Sequence, residues 1–240
     1  SNKTPFYLYS QKVISDTYQQ LKNDLVSEIF FAVKSNSNQA ILKLINQLGA
    51  GADVVSVGEL KRALAAGFDP SKIIFEGVGK SKEDIEFAIN KKIRLINAES
   101  INEIKMIDEI SKNLKTKVNI GIRLNPNVDG KTLDKISTGK KTDKFGINIE
   151  KLDEIVNLIQ SLKNVYLKGI SCHIGSQLKT IKIYEMTFLK MKKAADFLLS
   201  KGINLEHVDL GGGFAVNYDQ EKNDLDTKKI GKLTKVIFKN

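Results

Sequence analysis

The sequence predicts an α/β fold, namely a parallel (β/α)8 barrel of the TIM type in which one strand is absent. Segments with strand-like and helix-like patterns alternate along the chain with a short period and no reversal of their order. Most strand segments are apolar on both faces, as in a parallel sheet that helices cover. The length of 240 residues is also typical of one barrel.

The elements follow from these patterns and from the signals at their ends. Ser81 and Ser100 precede amphipathic segments as good N-caps, whereas Gly67 and Gly202 follow helical segments. The seven predicted strands are Ile29–Lys34, Asp53–Ser56, Ile73–Glu76, Arg94–Asn97, Lys117–Leu124, Leu167–His173 and His207–Leu210. The six predicted helices are Gln39–Leu48, Val57–Ala66, Lys82–Asn90, Ser100–Ser111, Lys151–Leu162 and Lys182–Lys201, and a helix-like tail follows at Asp226–Lys239.

The strand count leaves the predicted barrel incomplete. A closed barrel of this type has eight parallel strands, and the pattern after Leu210 shows no eighth. A missing strand leaves two open sheet edges and uncovered apolar side chains. We therefore expect residues 1–240 to form one barrel domain that is truncated at its C-terminal end and belongs to a longer protein.

Composition and charge exclude several classes of function. The formal net charge is +10, but Lys is spread along the chain and Arg occurs only at positions 62, 94 and 123, so no nucleic-acid partner is predicted. No apolar run approaches the ~20 residues that a membrane helix needs, and the N-terminus lacks the apolar core of a signal peptide. The one cysteine, Cys172, cannot form an internal disulfide, which fits a reducing, cytoplasmic location.

Polar residues at the C-terminal ends of the predicted strands form the candidate site, because these ends meet at one mouth of a barrel. A long connection, Asn125–Asn148, follows the fifth strand at the same rim, and connections of this length are usually functional. The candidate residues are Lys34, Asp53, Glu59, Arg123, His173, Ser176, Gly211, Gly212 and Gly213.

Three of these features indicate a phosphorylated aldehyde as the ligand. Lys34 ends a strand, where a lysine either reaches for solvent or offers an amine that condenses with a carbonyl group. The glycines of "DLGGGF" let backbone N–H groups approach a phosphate, and His173 lies at the same mouth. The sequence has no metal-ligand spacing and no G-x-S-x-G elbow, so neither a metal site nor a serine hydrolase is predicted. Together, Lys34, the glycines of "DLGGGF" and His173 indicate pyridoxal phosphate.

Seven segments resemble the fold-type III pyridoxal-phosphate decarboxylases in order and spacing. They are "FFAVKSNSN", "GADVVSVGEL", "IIFEGVGKS", "GIRLNPNVD", "ISTGKKTDKFGI", "CHIGSQL" and "DLGGGF". The resemblance covers nearly the whole chain and is much closer to the diaminopimelate branch than to ornithine or arginine decarboxylases. It implies a barrel of the alanine racemase and decarboxylase type, a homodimer in the full-length form, and conversion of meso-2,6-diaminopimelate to L-lysine and CO2, the last step of lysine biosynthesis.

The same resemblance implies a role for each candidate residue. Lys34 would hold the cofactor as an internal aldimine, and His173 would stack on its pyridine ring. The remaining roles are phosphate binding by Ser176, Gly211, Gly212 and Gly213, and lining of the cofactor pocket by Asp53, Glu59 and Arg123.

Two parts of the family pattern are missing from this sequence. The Glu-Pro-Gly-Arg motif, which contacts the pyridine nitrogen and the substrate, does not occur, and neither does the C-terminal β domain with its catalytic cysteine. The 240 residues alone are therefore expected to be weakly active or inactive. The open alternatives are a non-catalytic single-domain barrel that binds pyridoxal phosphate, and another amino-acid decarboxylase or racemase of the same fold type.

Overall fold

The computed structural model describes residues 4–128, 145–216 and 225–239. The helices in these ranges are α1 (Gln11–Leu25), α2 (Gln39–Gln47), α3 (Val57–Ala65), α4 (Lys82–Asn90), α5 (Ile101–Asn113), α6 (Leu152–Ser161), α7 (Ile181–Ser200) and α8 (Thr227–Ile237). The strands are β1 (Phe30–Ala32), β2 (Gly51–Val54), β3 (Ile73–Phe75), β4 (Leu95–Ala98), β5 (Val118–Asn125), β6 (Ile147–Asn148), β7 (Val165–Ser171) and β8 (His207–Asp209). None of the described helices is both long enough and apolar enough to cross a membrane.

The strands form the incomplete parallel barrel that the sequence predicts. Seven of them are hydrogen-bonded in the order β1-β2-β3-β4-β5-β7-β8, all parallel, and β6 pairs only with β5. Within the described residues β1 and β8 are not paired with each other, so the sheet has one gap. Each predicted strand and helix overlaps an observed one, but α1 and β6 were not predicted. Most of the predicted connection Asn125–Asn148, namely 129–144, lies outside the described residues.

The outer face of the sheet is apolar and packs under the helices. Side chains such as Phe75, Ile96, Ile122 and Ile170 belong to one buried cluster with apolar residues of the surrounding helices. Successive side chains of a strand point to opposite faces of the sheet, so the residues adjacent to these in each strand point to the inside of the barrel. Burial of this apolar face stabilises the fold by about 25 cal/mol per Å² of apolar surface removed from water.

The inner face changes character along the strands. In its middle, Leu95 fills the space left by two glycines of neighbouring strands: a Cβ at Gly121 or Gly169 would lie 2.8 or 2.9 Å from Leu95 Cδ2. Toward the C-terminal ends of the strands the inner face is polar. The polar residues, placed by the strand register, are Asp53, Asn97, Arg123, Ser171 and Asp209.

Helices α1 and α8, near the two ends of the described chain, pack against each other. Helix α8 follows β8 and packs against α1, which precedes β1. The hydroxyl of Thr227 donates to Asp24 Oδ2 at 2.6 Å. Gly231 lets the two backbones approach so closely that a Cβ there would lie 1.8 Å from the carbonyl oxygen of Asp24. The contact therefore links the segments that flank the two end strands.

Gly231→Ala is expected to lower the free energy of unfolding by about 1–3 kcal/mol, because the added methyl group forces α8 away from α1. Gly58→Ala is the matched control, since Gly58 also lies in a helix but a Cβ there lies at an ordinary 3.7 Å from the nearest side-chain atom, Ser56 Oγ. Urea unfolding of both variants measures the difference. Equal stability of Gly231→Ala and the unsubstituted chain would contradict this account of the contact.

Candidate active site at the barrel mouth

Lys34 lies at the mouth, in a short 3-10 turn that follows β1. The turn, Val33–Ser35, is closed by the N–H of Asn36, which donates to the carbonyl oxygen of Val33 at 3.1 Å. The hydroxyl of Ser35 donates to the carbonyl oxygen of Ala32 at 2.7 Å, and Val33 is fully buried. Strand β1 therefore ends two residues before Lys34, whereas the predicted strand included it. The turn holds the backbone of Lys34 in place and leaves the residue exposed.

The ammonium group of Lys34 lies near two other candidate residues. Burial lowers the pKa of His173, and the positive charges of Arg123 and Lys34 lower it further. Lys34 also lowers the pKa of Asp53, against the larger opposite effect of burial. Because such charge effects act over short distances, Lys34, Asp53, Arg123 and His173 belong to one electrostatic group at the mouth. The neutral form of His173 is favoured there at neutral pH.

Glycines 211–213 form a turn directly after β8 and pack against the segment that follows β7. Gly213 has a left-handed φ of +73°, and a Cβ there would lie 1.9 Å from the carbonyl oxygen of Gly175. It would also lie 3.4 Å from the Cα of Ser176. Two of the predicted phosphate ligands are therefore neighbours, and position 213 accepts only glycine without a shift of the backbone.

Hydrogen bonds hold this glycine turn against its neighbours. The N–H of Leu178 donates to the carbonyl oxygen of Gly213 at 2.9 Å, and the hydroxyl of Tyr184 donates to that of Gly212 at 3.2 Å. The N–H of Gly211 donates to Asp209 Oδ1 at 2.7 Å. One of the three glycine N–H groups thus already has a partner inside the chain, and phosphate binding by this turn would depend more on Gly212 and Gly213.

Three carboxyl groups with raised pKa lie below the rim: Asp53 on β2, Glu76 after β3, and Asp209 at the end of β8. Burial, with help from the charge of Asp209, raises the pKa of Asp53 to about 7 and that of Glu76 to about 8. Burial also raises the pKa of Asp209, although its bond from Gly211 and the charge of Arg123 oppose the shift. Asp53 and Glu76 can therefore hold protons near neutral pH.

Glu59 and Arg123 have defined partners next to the mouth. Glu59 Oε2 accepts the N–H of Val55 at 2.9 Å, so its carboxylate lies over the start of α3 beside Asp53. Arg123 Nη1 donates to Glu99 Oε1 at 2.9 Å, and its guanidinium lies 5.5 Å from the ring centroid of Phe145. Cys172, next to His173 in sequence, points the other way into the apolar core, as expected from strand alternation.

Several polar residues of the mouth were not predicted. Glu76 and Glu99 directly follow β3 and β4, so the strand-end rule that found Arg123 applies to both of them. Asn97 donates through its side-chain amide to Glu76 Oε1. Five buried oxygens here have no hydrogen-bond partner among the described residues, and such atoms usually bind water or a ligand. They are Asp53 Oδ1, Glu76 Oε2, Asn97 Oδ1, Glu99 Oε2 and Ser171 Oγ.

The raised pKa of Glu76 predicts a pH-dependent stability. A carboxyl group whose pKa rises from 4.5 to about 8 on folding contributes stability that is full below pH 4.5 and is lost as the pH rises through about 8. Glu76→Gln is neutral and keeps an acceptor for Asn97, so we expect a smaller loss of unfolding free energy between pH 5 and pH 8.5 than in the unsubstituted chain. Urea unfolding at both pH values measures this difference. A Glu76→Gln variant as pH-dependent as the exposed control Glu86→Gln would contradict it.

The residues of the mouth fit a phosphorylated aldehyde. They offer an amine on a fixed turn, a glycine turn in which a Cβ at position 211 or 213 would overlap a backbone carbonyl oxygen, and a buried carboxyl oxygen of Asp53 without a partner among the described residues. The lysine lies in the turn after β1, the orphaned oxygen lies on β2, and the glycine turn follows β8. In the described part of the chain, no group of three or more His, Cys, Asp or Glu side chains is arranged to hold a metal ion.

Comparison with known proteins agrees with this arrangement. Residues 11–239 match the family described as "Pyridoxal-dependent decarboxylase, pyridoxal binding domain". The chain is 40% identical over 221 residues to the diaminopimelate decarboxylase of Vibrio cholerae serotype O1, covering 91% of this chain and 53% of that protein. It is 43% identical over 225 residues to that of Helicobacter pylori strain J99, covering 92% and 55%.

Solved structures give the same result. The crystal structure of diaminopimelate decarboxylase from Helicobacter pylori complexed with L-lysine has a TM-score of 0.92 at 38% identity, covering 99% of this chain and 61% of that chain. The chain spans about half the length of the curated relatives it matches. The resemblance drawn from the seven sequence segments is confirmed, and so is the pyridoxal phosphate that it implies. The chain belongs to the pyridoxal-dependent decarboxylases, through the pyridoxal-binding domain of that family.

Proposed function

We propose that the protein containing this chain is a pyridoxal-phosphate-dependent decarboxylase that converts meso-2,6-diaminopimelate into L-lysine and CO2. The observation that carries the proposal is the common location of Lys34, His173 and the glycine turn at one rim of the barrel. The similar proteins of Vibrio cholerae and Helicobacter pylori are named diaminopimelate decarboxylases, and one solved relative contains L-lysine.

Residues of this chain would hold the cofactor at both of its ends. Lys34 would attach it covalently, and His173, favoured in its neutral form, would lie against its ring. The phosphate would bind to Ser176, Gly211, Gly212 and Gly213. When bound, the cofactor supplies an electron-accepting ring that stabilises the charge left on Cα after CO2 departs.

The charged residues around this site would orient the cofactor. Asp53 has a pKa of about 7 and an oxygen without a partner among the described residues, so it can hold a proton toward a ligand. Glu59 would keep the turn after β2 in place through its bond to Val55. Arg123, held by Glu99, would place a positive charge beside the ring substituents and keep His173 neutral.

We also propose that residues 1–240 form one cofactor-binding domain of a cytoplasmic homodimer. The buried position of the single cysteine fits a reducing compartment. The Glu-Pro-Gly-Arg motif of the family does not occur in this sequence, so the substrate-binding arginine would come from another part of the protein. Light scattering of the whole protein tests the dimer, and a monomeric mass would contradict it.

Release of CO2 from meso-2,6-diaminopimelate by the whole protein with added pyridoxal phosphate tests the reaction. We expect release from this substrate and none from ornithine or arginine. Cofactor binding without release from any of the three would replace the proposal by a non-catalytic pyridoxal-phosphate carrier. Release from ornithine or arginine alone would assign a different decarboxylase of the same fold type.

A further inference from the structure

A buried lysine that the proposed function does not use lies behind the mouth. Lys80 follows β3, its side chain is 1% exposed, and its ammonium group has three hydrogen-bond acceptors. They are the carbonyl oxygens of Gly77 at 2.5 Å and Asn97 at 2.7 Å, and Glu103 Oε1 at 2.8 Å. A lysine has three donors, so every one of them is satisfied inside the protein.

The partner of this lysine continues the network toward the mouth. Glu103 is in the first turn of α5, and its second oxygen, Oε2, accepts the N–H of Glu99 at 2.9 Å. The side chain of Glu99 then accepts Nη1 of Arg123 at 2.9 Å. Lys80 is thus linked to the guanidinium at the mouth through Glu103 and Glu99, of which Glu99 takes part with its backbone N–H on one side and its carboxylate on the other. Lys80 itself contacts none of the candidate site residues.

The same ammonium group also holds the end of β4. Lys80 binds the backbone carbonyl of Asn97, whose side-chain amide donates to Glu76. Asn97 and Glu76, two polar residues of the inner face, are therefore connected to each other at the point of β4 that Lys80 binds. Its bond to Gly77 fixes the turn after β3 in the same way, so one side chain ties together the ends of two neighbouring strands.

A gain in stability does not by itself explain why Lys80 and Glu103 form a buried ion pair. Burying two charges costs several kcal/mol per ion, and apolar replacements of buried pairs are often as stable or more so. What the pair does provide is a single geometry, because three donors and two carboxylate oxygens are all occupied. We propose that Lys80 is a positioning residue of the cofactor site, which with Glu103 and Glu99 fixes the guanidinium of Arg123 at the barrel mouth. This inference rests on the proposed use of the mouth as the cofactor site.

The test compares the affinity for pyridoxal phosphate of the unsubstituted chain, two Lys80 variants and a control variant, each with and without Arg123→Gln. Lys80→Met removes the ammonium group, and the double variant Lys80→Met/Glu103→Gln also removes the buried charge that would be left behind. An amide at 103 still accepts the N–H of Glu99. Lys91→Met is the matched control, because Lys91 is exposed and lies 5.5 Å from the Phe87 ring, as Lys80 lies 5.5 Å from that of Phe75. Thermal unfolding is measured beside cofactor titration.

The decisive readout is whether the effect depends on Arg123. We expect Lys80→Met and the double variant to weaken cofactor binding roughly tenfold, with the double variant regaining most of the lost stability. In an Arg123→Gln background the same changes should alter affinity by less than about twofold, because the residue they position is gone. Lys91→Met should leave affinity unchanged in both backgrounds.

Three outcomes would overturn the inference. They are a double variant with restored stability and unaltered affinity, an equal loss of affinity with and without Arg123, and a double variant that does not fold. Each of these would assign the pair a structural role only. Failure of the unsubstituted chain to bind pyridoxal phosphate is a separate result, which would contradict the proposed function before any Lys80 variant is measured.

Discussion

Lys34→Ala is expected to abolish covalent attachment of pyridoxal phosphate to the chain. The reason is chemical: a lysine amine condenses with an aldehyde, and the amine of Lys34 is held on a rigid turn beside Asp53 and His173. Borohydride reduction of the chain with bound cofactor makes the attachment permanent, and mass mapping of the peptides then finds it. We expect the label on the peptide that contains Lys34, and background labelling in the variant.

Lys34→Arg tests whether covalent attachment requires the amine of Lys34 or only its positive charge. Arginine keeps a positive charge near Asp53 and His173 but does not deprotonate in proteins and offers no amine for condensation. We expect no covalent label with Lys34→Arg, together with a fold as stable as that of the unsubstituted chain. Lys43→Ala, at an exposed position of α2, should be labelled normally. A label of undiminished intensity on Lys34→Arg would show that another lysine carries the cofactor.

Gly213→Ala is expected to have the second large effect, on both stability and cofactor affinity. The left-handed φ of +73° costs a residue with a side chain about 1–2 kcal/mol, and the new Cβ would lie 1.9 Å from the carbonyl oxygen of Gly175. Relief of this overlap must move the turn away from the segment that carries Ser176. We therefore expect a loss of about 2 kcal/mol or more in unfolding free energy, and a loss of at least about tenfold in affinity for pyridoxal phosphate.

Gly212→Ala is the matched control for this effect. Gly212 is the neighbour of Gly213, but a Cβ there would meet nothing within 4 Å. We expect Gly212→Ala to unfold at the same urea concentration as the unsubstituted chain. If instead the two alanine variants were equally unstable, the close approach of Gly213 to Gly175 would not be what determines the shape of the turn.

The sequence predicts the barrel well because its strands and helices carry local signals. Serine N-caps at positions 81 and 100 and short apolar runs specified most elements without any tertiary information. Helix α1 was missed because the only residues it buries are Tyr18 and Asp24. Its main packing partner, α8, lies some 200 residues away in the chain, and Gly231 rather than an apolar stripe allows that contact.

Prediction of the site had a similar limit. Lys34, Arg123 and the glycines stand at strand ends, where position alone indicates a role at the mouth. Glu76 and Glu99 obey the same rule but were not predicted. Glu76 lies in the segment "IIFEGVGKS", for whose residues the resemblance gave no role, and Glu99 lies outside the seven segments. Lys80 could not be assigned from sequence, since its role depends on the approach of β3, β4 and α5 in space.

A crystal structure of the chain with pyridoxal phosphate tests the central claim most directly. We expect electron density continuous with Nζ of Lys34, with the phosphate next to Ser176 and to Gly212 and Gly213. The ring should lie beside His173, with Arg123 still bound to Glu99. Cofactor density attached elsewhere, or a phosphate remote from the glycine turn, would contradict the account.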